Sequence, residues 1–306
     1  MIKILHIALL LSFSLTSQAS PQVNGILLYT GPGADVDCWQ ATQKTIARIA
    51  EPSLSRELFN DVNFLLRRLE AHGSSAQKIL VIVPGGNALE MDIAKFSRVF
   101  NLITKHEHNY LGICAGAILP TASGCRTLDS IEYERKMRLE EKIYGLESID
   151  KVDVKSHALL TSFFCMSPTF KCAAGQGVEV LGTLRSNQRP VLLQAKKHNS
   201  HFILSSIHPE FSPTESAAFI KMDKFVRLRA LCTRDFITQE IELFGPRNAH
   251  EFTQVPQEID RLEKISREFI AQSVEEYERT EHARLTLFRD LLLKLGVPCL
   301  DNWLGP

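Results

Sequence analysis

"KILVIVPGG", residues 78–86, decides the fold class. Ile79 to Val83 form an apolar run with no polar residue between them, and Pro84-Gly85-Gly86 stops it. A strand with one wet face alternates; a strand buried on both faces, as in a parallel sheet, does not. Working outward, "SLSRELFNDVNFLLRRLEAHG" (53–73) precedes it, with Leu54, Leu58, Val62, Leu65, Leu66 and Leu69 at helical spacing. Ser53 or Ser55 can cap that helix and Gly73 can end it. Upstream, "GILLYTGPG" (25–33) predicts a strand running into a glycine-rich loop, with a helix over Cys38–Ile49. Downstream, Leu89, Ile93, Phe96, Val99, Phe100 and Ile103 predict a helix near 89–106; then "YLGIC" is a short strand and "AGAIL" begins a helix. The strand–helix alternation predicts an α/β protein with a doubly wound, mostly parallel sheet.

The second half is less regular. Residues 126–150 are charged and fit either a helix or a mobile loop. "SHALLTSFFC" (156–165), "VEVLGTL" (178–184), "PVLLQAKKHN" (190–199) and "HFILSSIHPEF" (201–211) predict strands, with "KKHNS" as a hairpin tip. Helices dominate from Thr214, and 259–296 predicts a long amphipathic helix ended by Gly296 and Pro298. This divides the chain into an α/β domain over 20–235 and a helical extension over 236–306, packed on the core or free to dock a protein partner.

Residues 1–19 form a separate unit. "MIK" is a short positive start, and "ILHIALLLSFSL" is shorter than the roughly 20 apolar residues of a spanning helix. Ser17 and Ala19 stand at the −3 and −1 positions of a cleavage site. The pattern predicts a signal peptide cut after Ala19, hence a periplasmic or secreted protein with no membrane span after cleavage. The competing reading makes "IKILHIALL" a first strand. Lys and Arg total 35 against 35 Asp and Glu, with no basic stripe, which argues against nucleic acid as a partner. Seven cysteines are present. An odd number leaves at least one thiol free in a monomer; Cys165 and Cys172 can close a short loop. No Cys-x-x-Cys or His/Cys cluster has zinc spacing, so no metal and no cofactor are expected.

Three segments carry candidate chemistry. "YLGICAGAIL" (110–119) sets Gly112 two before Cys114 and Gly116 two after. A thiol at a sharp strand-to-helix turn stands clear of the sheet, and small neighbours let helix and strand approach; this is the spacing of a nucleophile elbow. Glycines around a buried cysteine serve packing equally well. In "HPEF", His208 follows an apolar strand, and on extended backbone Glu210 falls on the same side, able to orient the imidazole of a general base. A loop with a stray histidine is the alternative. "VPGG" leaves backbone N–H groups at the carboxyl edge of a sheet, where open α/β folds bind ligands. Gly85 or Gly86, with the N–H of Ala115, can then cradle an oxyanion; an ordinary turn is the other reading.

Together, in this order, Pro-Gly-Gly, Gly-x-Cys-x-Gly and His-Pro-Glu resemble the class I glutamine amidotransferase superfamily. "LLYTGPG" with a cysteine soon after, "VPGG", "YLGICAGAIL" and "SSIHPEFS" are most similar to the biotin–protein ligase N-terminal domain family and its stand-alone relatives, over roughly residues 25–232. The resemblance implies a flavodoxin-like sheet, Cys114 as nucleophile, His208 as base, Glu210 as the orienting carboxylate, and Gly85 and Gly86 as the oxyanion loop. The intracellular-protease and chaperone group is the second likeness, but its elbow usually reads Cys-His where this chain has Cys114-Ala115. No Gly-Arg-Gly-Arg-type adenylate loop follows, and no synthetase domain to receive ammonia. The expectation is therefore an exported thiol hydrolase with a Cys-His-Glu triad, acting with water on an amide or related bond of a small molecule or peptide. The alternative is a catalytically silent, amidotransferase-like binding module of the cell envelope.

Overall fold

The computed structural model describes residues 22–72, 77–134, 149–155, 157, 160–163, 169–172, 177–185, 187–211 and 277–303. Its centre is a nine-stranded sheet. Along the chain, β1 is Gly25–Tyr29, β2 Ser55–Phe59, β3 Ile79–Val83 and β4 Asn109–Ile113. Then come β5 Ile131–Glu134, β6 Ile149–Val154, β7 Leu160–Phe163 and β8 Thr169–Cys172. The last three are β9 Val178–Leu184, β10 Pro190–Lys197 and β11 Ser200–Ser205. The sheet order is β2-β1-β3-β4-β11-β10-β9-β6-β7, and β5 pairs with β8 apart from it. The first five strands are parallel in the 2-1-3-4-5 order of flavodoxin-like sheets. The remaining four continue the sheet antiparallel, starting from the β10–β11 hairpin, whose two-residue tip is His198-Asn199 with His198 at φ 54°. The protein is thus α/β, with a doubly wound, flavodoxin-like parallel half.

Among the described residues, five helices cover the sheet: α1 Val36–Ile49, α2 Val62–His72, α3 Ile93–Lys105, the single turn α4 Ala115–Ile118, and α5 Glu281–Lys294. Asp35 caps α1, accepting from the Asp37 and Cys38 N–H groups at 3.0 and 3.2 Å; Asp92 caps α3, accepting from Lys95 N–H at 3.0 Å. Strand residues alternate between two cores. Ile26, Leu28, Leu80, Ile82, Leu111 and Ile113 meet α1 and α5 on one face. Leu27, Tyr29, Val81, Val83 and Tyr110 meet α2 and α3 on the other. All five residues of β3 are buried, which is why its sequence shows no alternation.

The described part of the C-terminal helix belongs to the first core. Leu285, Phe288, Leu291 and Leu292 are buried there, and of its large apolar side chains only Leu293 is exposed. Asn109 Nδ2 donates to the Leu295 carbonyl at 2.7 Å, and Leu300 N–H to the Ile49 carbonyl at 2.9 Å.

Several expectations change. The helix expected over 53–73 is two elements: Ser55–Phe59 is an outer strand of the sheet, and the helix begins only at Val62. The Leu54–Leu58 spacing mimics a helix, but Leu58 is exposed on a strand paired only with β1, and Asp61, accepting from Asn63 N–H, marks the true start. The third helix begins at Ile93; Leu89 stands on a short 3₁₀ turn with 93% of its surface exposed. Within 126–150, Ile131–Glu134 is a strand. Cys172 is a free thiol. The signal sequence, Cys165, Cys232, the helices expected over 214–258 and the first part of the 259–296 helix lie outside the described residues. Among the described residues, no helix is long and apolar enough to cross a membrane, and no group of three His, Cys, Asp or Glu side chains is arranged to hold a metal ion.

Candidate active site

Cys114 stands between β4 and α4 with φ 50° and ψ −108°, a conformation L-residues rarely adopt. Its N–H completes the β4–β11 ladder by donating to the Ser205 carbonyl at 2.7 Å. The two glycines are steric requirements of this turn. A Cβ on Gly112 would collide with the Gly116 carbonyl, and one on Gly116 with the Val83 carbonyl of β3. Buried Tyr110 holds the turn further, its hydroxyl donating to the Gly116 carbonyl at 2.7 Å. The elbow expected from "GICAG" is therefore built, with the N–H of Ala115 heading α4, where the first N–H groups have no partner inside the helix.

His208 and Glu210 meet as expected. His208 Nδ1 is 2.8 Å from Glu210 Oε1, with 2% and 0% of their surfaces exposed. The backbone differs from the one read in the sequence: β11 ends at Ser205, short of His208, and Pro209 and Glu210 lie in a turn beyond it. A carboxylate only accepts, so Nδ1 carries the proton toward Glu210, and the hydrogen bond between His208 and Cys114 falls to Nε2. Burial pushes the His208 imidazole down. The Glu210 charge, the hydrogen bonds with Cys114 and Glu210, and the Cys114 charge more than offset it and hold the group up at about 10. Imidazolium is then the resting form at neutral pH.

Gly85 and Gly86 form the wall beside the elbow. Asp35 N–H donates to the Gly85 carbonyl at 2.9 Å and Asn87 N–H to the Gly33 carbonyl at 2.7 Å, tying the loop after β1 to the loop after β3. A Cβ on Gly85 would lie 2.7 Å from His208 Cε1, 2.9 Å from Cys38 Sγ and 3.4 Å from Cys114 Cβ. All six sequence-predicted residues, Cys114, His208, Glu210, Gly85, Gly86 and Ala115, thus lie along the carboxyl edge of β3, β4 and β11.

Sequence reading missed two contributors. Cys38 was read as the cysteine that follows "LLYTGPG" and given no role, yet its sulfur reaches the site. Burial pushes its thiol well above the ordinary value, with the charges of Glu210, Asp35 and Cys114 and a hydrogen bond with Asp35 adding to the rise. Thr45, one α-helical face further along α1, donates its hydroxyl to the Glu210 carbonyl at 2.7 Å and fixes the backbone of the acid. No local signal in the sequence ties Thr45 to a residue 165 positions away.

The arrangement presents a sulfur, an imidazolium and a carboxylate in series, with backbone N–H groups at hand. That is the nucleophile–base–orienter order of thiol acyl transfer. In comparisons with known proteins, no family model matches this chain and no curated protein matches it.

Proposed function

We propose that this protein is an exported thiol hydrolase of the class I glutamine amidotransferase-like type, cleaving an amide or related bond of a small molecule or peptide. The observation that carries the reading is the buried relay Cys114–His208–Glu210, closed at 2.8 Å on the acid side. In this reading the Cys114 sulfur attacks the carbonyl carbon. The developing oxyanion is held by the N–H of Ala115 with that of Gly85 or Gly86. His208 passes its Nε2 proton to the departing amine, leaving a thioester on Cys114. It then takes a proton from water, which attacks the thioester and releases the acid. Glu210 keeps the imidazole oriented through both halves.

The test is a time course of iodoacetamide labelling on folded protein, read residue by residue by mass spectrometry. Cys114 is expected to label much faster than Cys38, Cys125, Cys172 and Cys299, and Cys114→Ala to abolish amine release from a panel of carboxamide and peptide amides. An unreactive Cys114 overturns the proposal. One observation favours the silent binding module: Cys114 exposes only 9% of its surface. Fast labelling without turnover of any amide would select that reading.

A further inference from the structure

Two thiols converge on one side-chainless residue. Cys38 Sγ and Cys114 Cβ lie 2.9 and 3.4 Å from the point where a Gly85 side chain would begin, so they are closer to each other than the sum of those distances. The sheet order explains this. Cys38 follows β1, Gly85 follows β3 and Cys114 follows β4, and these strands are consecutive neighbours. Gly85 stands between the two cysteines, and its missing side chain leaves the gap through which they face each other. Neither is part of a disulfide here. The hydrolase reading employs Cys114 and gives Cys38 no task.

We propose that Cys38 and Cys114 form a reversible disulfide that closes the site when a peroxide oxidises Cys114. This rests on the nucleophile reading of Cys114. The Cys114 sulfur attacks one oxygen of hydrogen peroxide and the O–O bond breaks. Hydroxide leaves and takes the His208 proton as water, and Cys114 becomes a sulfenic acid. The Cys38 sulfur then attacks the oxidised sulfur: the S–S bond forms, the S–O bond breaks, and the hydroxyl departs with the Cys38 proton as a second water. Two thiols and one peroxide yield a disulfide and two waters, and an external dithiol reverses the change. The division of labour suits the surroundings. Cys114 has the imidazolium beside it, whereas Cys38 sits against Glu210 and Asp35, keeps its proton and does not compete for the oxidant.

The experiment treats reduced, folded, full-length protein with hydrogen peroxide, blocks the remaining thiols at acid pH, and maps peptides by mass spectrometry. The expected product is a Cys38–Cys114 cross-linked peptide, two hydrogens lighter than the reduced pair, that dithiothreitol returns to the thiols. In Cys38→Ser the expected product is Cys114 sulfinic acid, which dithiothreitol does not restore. Cys114 oxidised while Cys38 stays open to alkylation, or Cys114 paired with Cys125, Cys172 or Cys299, overturns the proposal whatever the variant does. Iodoacetamide on the reduced protein separates the two ideas. A Cys114 that labels but never pairs with Cys38 overturns the disulfide alone; a Cys114 inert to both reagents overturns the hydrolase reading with it.

Discussion

Replacing Glu210 by Gln tests the relay where it is most heavily loaded. The substitution keeps shape and burial but removes the charge that leads the effects opposing burial at His208. Without that charge, burial is opposed chiefly by the contacts with Cys114, and the imidazole falls from about 10 toward its ordinary 6.5. The size of the effect follows from those two values. At pH 7.5 a group titrating at about 10 is protonated almost throughout; one titrating at 6.5 is protonated in about one molecule in ten. The population of Cys114 facing imidazolium drops about tenfold, and the labelling rate of Cys114 with it. The sign is fixed by the raised value: wild-type His208 holds its proton across the window from 6.5 and loses it only as pH rises through about 10. The assay is the rate constant of iodoacetamide labelling at Cys114 between pH 5.5 and 9.5, with the melting temperature followed at each pH. Wild type is expected to react at a nearly constant rate from neutrality upward. Glu210→Gln is expected to be about tenfold slower at pH 7.5 and to climb with pH as an ordinary thiol does. Superimposable profiles from two equally folded proteins would refute the electrostatic argument.

Three further outcomes follow from the same geometry. Cys114→Gly relieves the strained φ of 50° and is expected to be more stable than Cys114→Ala by about 1 kcal/mol in urea titrations; equal stabilities would mean the elbow stores no strain. Thr45→Val removes the 2.7 Å bond to the Glu210 carbonyl in a buried place, at a cost of about 1–3 kcal/mol. It should also lower kcat on any amide substrate with little change in KM, and Thr45→Ser should restore both. Phe288→Ala empties a fully buried position between α5 and the sheet and is expected to cost about 3–5 kcal/mol by thermal or chemical unfolding; a loss under about 1 kcal/mol would show that α5 is not part of the core.

Much of the parallel half was legible because its strands are buried on both faces. Ile79–Val83 has no polar residue to confuse the period, and the glycine-bounded turns after β1, β3 and β4 punctuate the chain plainly. β2 was misread because it lies at the end of the sheet: with one partner strand, it carries Arg56 and Glu57 beside a Leu58 that points to solvent, and no face of it is uniformly apolar. The short β5–β8 pair offered no pattern either, since its pairing spans residues about forty apart. At the site, Cys114, Gly112 and Gly116 were readable because a sharp turn needs small neighbours within two residues, a purely local demand. His208 and Glu210 were readable as a spaced pair although the backbone between them is turned rather than extended. Cys38 and Thr45 were not, because their roles depend on where α1 crosses the sheet, which no local pattern encodes.

The arrangement of the site follows from strand order more than from any single motif. β1, β3, β4 and β11 are consecutive in the sheet, and the segment after each delivers one element: Cys38 in the first turn of α1, Gly85-Gly86, Cys114 and the His208-Pro-Glu210 segment. Neighbouring strands lie about 4.8 Å apart, so groups at the carboxyl ends of adjacent strands are held at distances a side chain can span. Cys114 and His208 are one strand apart and meet directly. Cys38 is two strands from Cys114, and Gly85, which has no side chain, lies between them. Distance along the chain, 94 residues from Cys114 to His208, is irrelevant to this edge; what matters is that β11 inserts beside β4 with Ser205 opposite Ile113. A one-residue slip of that register would turn the strand's inward residues outward and carry the turn bearing His208 out of line with the sulfur. Phe202 and Leu204 in one core and Ile203 in the other oppose such a slip. The packing of β11 between β4 and β10 thus fixes the distance on which the proposed chemistry depends.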